Sequence, residues 1–224
     1  MSFAGNSTRH AALMDRNYRF QRHIYDATRK YYLLGRDPMI AGLDVPAGGS
    51  VLEVGCGTGR NLAMVGHRYP DARLFGLDIS AAMLETAGRT IERDGLAART
   101  RLMRADATDF HPMPIFGQLK FDRVYMSYAL SMIPGWQRAV ECGLGALAPH
   151  GSLHIVEFGQ QRRLPGWFRT GLHAWLQHYH VKPIVSLEAE LSRIAAWAHR
   201  PLTFRSLYRD YAWLAVIGPV ETHS

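Results

Sequence analysis

The chain has 224 residues, with 26 Lys and Arg against 19 Asp and Glu, for a net charge of +7. At 47% hydrophobic and 20% charged residues it is too apolar for a disordered chain, and its length suits one full domain with a small extension. Two cysteines, Cys56 and Cys142, exclude a disulfide scaffold and a four-cysteine zinc site, and no uncharged apolar run approaches the ~18 residues of a membrane span.

The first residues lack an apolar core followed by a small-residue cleavage site, so a reducing, cytoplasmic setting is expected. Residues 1–14 read as a loose polar tail. Residues 15–34 read as a helix stopped by Gly35, and Asp37-Pro38 caps a short second helix. On the first helix Tyr18, Arg22, Tyr25, Arg29, Tyr32 and Arg36 recur at steps of 4 and 3, which sets Tyr and Arg on one face through residue 34. Phenol and guanidinium groups suit a carboxylate, of a cofactor or of a substrate. Residues 1–36 carry a charge of +5 and residues 160–182 carry +4, leaving −2 for the rest. Two basic segments on a near-neutral body suit an anionic partner.

After the turn at Pro46-Ala-Gly-Gly49, strands alternate with helices. Strands are expected at 51–54, 73–77, 100–104, 121–127 and 152–156, and helices at 60–69, 81–93 (capped by Ser80) and 136–147. This order implies a parallel sheet covered on both faces. Leu202–Tyr208 and Tyr211–Ile217, parted by Arg209-Asp210, suggest a closing antiparallel hairpin. The fold class is therefore α/β, a doubly wound, mostly parallel seven-stranded sheet with a C-terminal hairpin and an N-terminal helical extension.

Val51-Leu-Glu-Val-Gly-Cys-Gly-Thr-Gly-Arg60 carries the strongest signal. Glycines at 55, 57 and 59 lie between a buried strand and a helix, where the backbone must turn sharply and a ligand can approach it. The spacing is G-x-G-x-G, with Arg60 where a dinucleotide fingerprint has its third glycine. Glu53 in the strand disfavours a pyrophosphate and suits ordered water or a cationic ligand. Asp78 ends the second strand where a ribose diol would be gripped, and Asp106-Ala107 follows the third, where an acid can accept from an adenine amino group.

This set resembles the class I S-adenosylmethionine-dependent methyltransferases over residues 50–160, whose fold is Rossmann-like. The resemblance implies S-adenosylmethionine as methyl donor and S-adenosylhomocysteine as product. It places Gly55, Gly57 and Thr58 against the amino-acid part of the donor, Asp78 on the ribose, Ile79 and Met83 beside the adenine, Asp106 and Ala107 at its edge, and Ser127 beneath the sulfonium. Tyr25, Tyr32 and Arg36 would close over it. The stretches Arg22-His-Ile-Tyr-Asp26 and Thr28-Arg-Lys-Tyr-Tyr-Leu-Leu-Gly-Arg-Asp37 are similar to those of the bacterial betaine-lipid methyltransferases. That likeness implies three N-methylations of diacylglyceryl-homoserine, and a partner enzyme that makes the aminocarboxypropyl lipid. The chain is expected to divide into a tail (1–14), a helical cap (15–45), a methyltransferase domain (46–218) and a second tail (219–224).

Within that domain, 160–200 reads as a helical insertion facing substrate or membrane. Phe168, Leu172, Trp175, Leu176 and Tyr179 share a helical face flanked by Arg162, Arg163 and Arg169, a composition that fits an anionic membrane interface and equally a face buried on the sheet. Methyl transfer is an in-line displacement that needs positioning, with no metal and no protein nucleophile. Tyr25, Tyr128 and His154 are the candidates for accepting a proton or orienting the amine. Phosphatidylethanolamine and a quinone precursor are the alternative acceptors. A nucleic-acid acceptor is disfavoured, because Tyr125-Met-Ser-Tyr128 lacks an Asn/Asp-Pro-Pro-Tyr-type signature.

Overall fold

In the computed structural model the described residues are 33–178 and 183–220. The helix expected over 15–34, with Tyr25 and Tyr32, lies outside them except for its last two residues, and so does Tyr179 of the aromatic face.

Seven strands form one sheet: β1 (Ser50–Val54), β2 (Arg73–Asp78), β3 (Thr100–Arg104), β4 (Phe121–Ser127), β5 (Leu147–Phe158), β6 (Leu202–Leu207) and β7 (Ala212–Ile217). Their order is β3-β2-β1-β4-β5-β7-β6. The first five run parallel, and β7 pairs antiparallel with both β5 and β6. The order reverses between β1 and β4, and ligands of open α/β sheets bind at the carboxyl ends beside such a reversal.

The helices are α1 (Arg36–Ala41), α2 (Arg60–Arg68), α3 (Ala81–Arg93), α4 (Pro112–Phe116), α5 (Trp136–Gly145), α6 (Gly166–His178) and α7 (Leu187–Trp197). Alternation along each strand splits the core in two. On one face Leu52, Val124, Met126, Leu153 and Ile155 pack with Val140 and Leu144 of α5 and Leu191 and Ile194 of α7. On the other, Val51, Leu74, Tyr125, Val156 and Phe158 pack with Met39 and Ile40 of α1, Leu62 and Val65 of α2, and Leu176 of α6. Ser80 caps α3 by accepting from the Met83 amide at 3.3 Å.

Three expectations shift. Helix α1 begins at Arg36 behind Gly35, so Asp37 lies inside its first turn and does not cap it. The fifth strand starts at Leu147, five residues earlier than expected, and α5 stops at Gly145. Phe121 pairs with Leu147 and Arg123 with Ser152, so the Pro149-His-Gly151 turn is a bulge inside the strand. Gly151 is required there, because a Cβ would lie 2.8 Å from the Phe121 carbonyl oxygen. The hairpin turn is longer than Arg209-Asp210: Tyr208, Arg209 and Asp210 all take positive φ (51°, 59° and 69°). Left-handed backbone costs a non-glycine residue about 1–2 kcal/mol, and Asp210 offsets this by accepting from Trp213 Nε1 at 2.5 Å and Ser206 Oγ at 3.2 Å. Among the described residues no helix is long and apolar enough to cross a membrane.

Gly59 caps α2 with φ 75°, and an added Cβ would sit 3.0 Å from the Ala87 Cβ and 3.1 Å from its Cα. Gly59→Ala therefore meets backbone strain and a helix that cannot yield. It should lower unfolding stability by about 2–4 kcal/mol, read as a lower denaturant midpoint at unchanged m-value.

Candidate functional site

The chain leaves β1 through a turn in which Gly55, Gly57 and Gly59 have φ of 76°, 52° and 75°. The turn is anchored on β2: the Gly55 and Cys56 amides both donate to the Leu77 carbonyl at 2.9 Å. Asp78 completes the attachment. Its Oδ2 accepts from the Gly57 amide at 2.8 Å and its Oδ1 from the Ser80 amide at 2.9 Å. These two bonds aim the carboxylate at the mouth of the glycine turn.

Asp106 lies two residues past β3. Its Oδ1 accepts from the Thr108 amide at 2.9 Å and the Thr108 hydroxyl at 2.7 Å, a local turn that fixes it beside buried Ala107. Ile79 is half-buried, while Met83 and Thr58 are buried. Ser127, the last residue of β4, has a buried Oγ with no hydrogen-bond partner among the described residues. An orphaned hydroxyl at the reversal point costs free energy unless a ligand supplies its partner. The glycine turn, the two anchored acids and this hydroxyl fit a nucleoside bearing an amino-acid arm.

Glu53 is placed differently from the other acids. It is fully buried, with Oε1 accepting from Asn61 Nδ2 at 2.8 Å and Oε2 from the Tyr125 hydroxyl at 3.0 Å. It joins α2 and β4 beneath the turn. Burial, and then Asp78 and Glu53, push the Cys56 thiol well above its usual range, so Cys56 is a packing residue.

Of the three catalytic candidates, the structure describes Tyr128 and His154, which hydrogen-bond different partners. Tyr25 lies outside the described residues. Tyr128 follows Ser127 with φ 53°; its ring packs on Phe158 at 4.6 Å and its hydroxyl donates to the Leu34 carbonyl. Burial, and then Glu157, raise that phenol well above its ordinary value. His154 sits in mid-strand opposite Tyr125 and hydrogen-bonds Ser152 at 2.8 Å. Burial, and then Arg123, lower it to about 4, so it is neutral at pH 7. Arg36 is buried at the start of α1, with Nε and Nη2 each 2.8 Å from Asp37 Oδ1, and its charge reaches Tyr128.

Sequence reasoning missed Glu157. It is fully buried on β5; Oε2 accepts from the Ser131 amide at 3.1 Å and Oε1 from the amide of its neighbour Phe158 at 3.0 Å. Burial lifts its carboxyl from the usual 4.5 to about 7. It thereby ties the loop after β4 to the end of β5. That loop presses on the glycine turn, since a Cβ on Gly55 would lie 3.0 Å from the Ala129 Cβ. The available signal was an acid at an inward position of Leu153-His-Ile-Val-Glu-Phe158.

Residues 51–151 match the family model described as "Methyltransferase domain". The chain is 32% identical over 117 residues to trans-aconitate 2-methyltransferase of Paracidovorax citrulli, covering 52% of this chain and 42% of that protein. It is 36% identical over 93 residues to phosphatidylethanolamine N-methyltransferase of Cereibacter sphaeroides, covering 42% of each. It thus spans about two fifths of these relatives' length. Among solved structures, a SAM-dependent methyltransferase from Aquifex aeolicus superposes with a TM-score of 0.66 at 16% identity, over 89% of this chain and 96% of that one.

Two outcomes follow from the geometry. Asp78→Ala removes one anchor of the turn and, on the donor placement expected from the sequence, a ribose acceptor; it should weaken S-adenosylhomocysteine binding at least 30-fold by calorimetry, about 2 kcal/mol or more. The second concerns pH. Glu157 has a raised folded-state pKa, so its contribution to stability is full below about 4.5 and is lost as pH rises through about 7. His154 has a lowered one, so its contribution is full above about 6.5 and is lost as pH falls through about 4. Glu157→Gln removes only the first effect. Its stability relative to the unsubstituted protein should climb by up to about 3 kcal/mol between pH 4.5 and 8, measured by denaturant melts at each pH.

Proposed function

We propose, from the premise that residues 51–151 are an S-adenosylmethionine-dependent methyltransferase domain, that the whole chain methylates the head-group amine of a membrane lipid. The acceptor we favour is diacylglyceryl-homoserine, taken to its trimethyl betaine at the membrane surface. The observation that carries the reading is the pairing of a donor-binding turn with a basic and aromatic helix following β5. Trp167 is 79% exposed and Arg162, Arg163 and Arg169 are exposed, whereas Leu172, Trp175 and Leu176 of the same segment turn toward the core. The likeness of residues 18–37 to the betaine-lipid enzymes, and the phosphatidylethanolamine N-methyltransferase among the relatives, support a lipid amine.

When bound, the donor supplies an electrophilic methyl group on a sulfonium. The chain's part is to hold both reactants in line. The glycine turn, Asp78 and Asp106 fix the donor's position, and Ser127 lies at the reversal point between it and the acceptor. An amine of pKa about 8 is partly neutral at pH 7, so no strong base is required. That agrees with a Tyr128 hydroxyl committed to Leu34 and a His154 set back in the strand.

A second reading takes a small polycarboxylate as acceptor. It is favoured by the trans-aconitate methyltransferases among the relatives and by the buried guanidinium of Arg36. Incubation with methyl-labelled S-adenosylmethionine, extracted lipids including diacylglyceryl-homoserine and phosphatidylethanolamine, and trans-aconitate separates the two. Label should appear in the homoserine lipid, with mono-, di- and trimethylated products in succession. Label confined to trans-aconitate would replace the lipid reading, and label in phosphatidylethanolamine would change the acceptor.

A further inference from the structure

The β6–β7 turn stands at the same edge of the sheet as the donor site, because β7 begins opposite Phe158, the last residue of β5. It is stitched to the segment leaving β5. The Gly159 amide donates to the Tyr211 carbonyl at 2.9 Å, the Gln161 amide to the Asp210 carbonyl at 2.8 Å, and the Arg162 amide to Asp210 Oδ2 at 3.2 Å. The contact is close: a Cβ on Gly159 would fall 2.3 Å from the Asp210 carbonyl oxygen. Two segments remote in sequence are thereby held side by side.

What they present outward is of one kind. Arg162, Arg163, Arg169 and Arg209 are exposed, together with Trp167 at 79% and Tyr208 at 50%. None of these arginines forms an ion pair among the described residues. Residues 159–182 contain no acid, and the one acid of 202–211, Asp210, is buried and bonded to Trp213. The left-handed turn forces Tyr208 and Arg209 out of the strand register at a site where glycine would be easier.

We propose that the Tyr208-Arg209 turn and the Arg162–Arg169 segment form a single docking rim for an anionic lipid surface, which sets the carboxyl edge of the sheet against the bilayer. The proposal rests on the lipid-acceptor reading and extends it to the hairpin, whose β7 lies three strands along the sheet from β1. Clustered arginines gain from the negative potential of such a surface, and ringed side chains with a polar tip settle at the head-group level. The lipid amine then reaches Ser127 and Tyr128 without the head group leaving the membrane.

Sedimentation with vesicles of phosphatidylcholine containing 30% phosphatidylglycerol tests this with no donor present, so its outcome is independent of methyl transfer. Asn tolerates left-handed backbone, so Tyr208→Asn and Arg209→Asn keep the turn; unchanged melting temperature and S-adenosylhomocysteine affinity verify that. Arg209→Asn should lower the partition coefficient about fivefold, as should removal of Arg162 or Arg163. Trp167→Ala should lower it further, and pure phosphatidylcholine vesicles should bind all forms weakly. A partition coefficient unmoved by Tyr208→Asn and Arg209→Asn would remove the hairpin from the rim. Equal binding to neutral and anionic vesicles, or loss of RNA retention in place of vesicle binding in the same variants, would overturn the assignment. Vesicle binding without lipid methylation would sink the enzymatic reading and leave the rim standing.

Discussion

The attachment of the glycine turn to the second strand is the constraint from which the site follows. The amides of Gly55, Cys56 and Gly57 lie past the end of β1 and before the start of α2. They are held because the Leu77 carbonyl takes two amides and Asp78 takes a third. One carboxylate therefore closes the turn and joins it to the start of the next helix. Glu53 performs the same service from inside, joining Asn61 and Tyr125 under the turn. Asp78 thus holds the turn from β2 and Glu53 holds it from β1.

Most of the fold was legible because its signals are local. The glycine spacing, Ser80 before an amphipathic helix and the strand-like runs at 73–77, 100–104 and 121–127 each fix an element within a few residues. The bulge at Gly151 was not legible, since it arises from the register between β4 and β5, which no local pattern records. Nor was the left-handed run at Tyr208–Asp210, which exists because Asp210 finds partners in Trp213 and in a distant loop.

For the candidate site, Gly55, Asp78, Asp106 and Ser127 sit at or just past the carboxyl ends of adjacent strands, because the sequence marks each of those strands. The acceptor side was harder. His154 stands out for its chemistry, and β5 holds it buried opposite Tyr125 with Ser152 as its hydrogen-bond partner. Glu157, three residues on, occupies the edge that the histidine does not. A polar residue in an apolar strand is conspicuous in sequence; which end of the strand it serves depends on where neighbouring strands stop.

These two residues also make β5 unusual in another respect. At pH 5.5 an unstructured chain would carry its histidine as a cation and its glutamate as an anion, whereas burial leaves both neutral. Formation of this strand is thus equivalent to handing a proton from position 154 to position 157. The solvent neither gains nor loses one, and the core acquires no net charge in either direction. A mildly acid surface layer, such as the water next to an anionic bilayer, therefore exerts little leverage on the centre of this sheet.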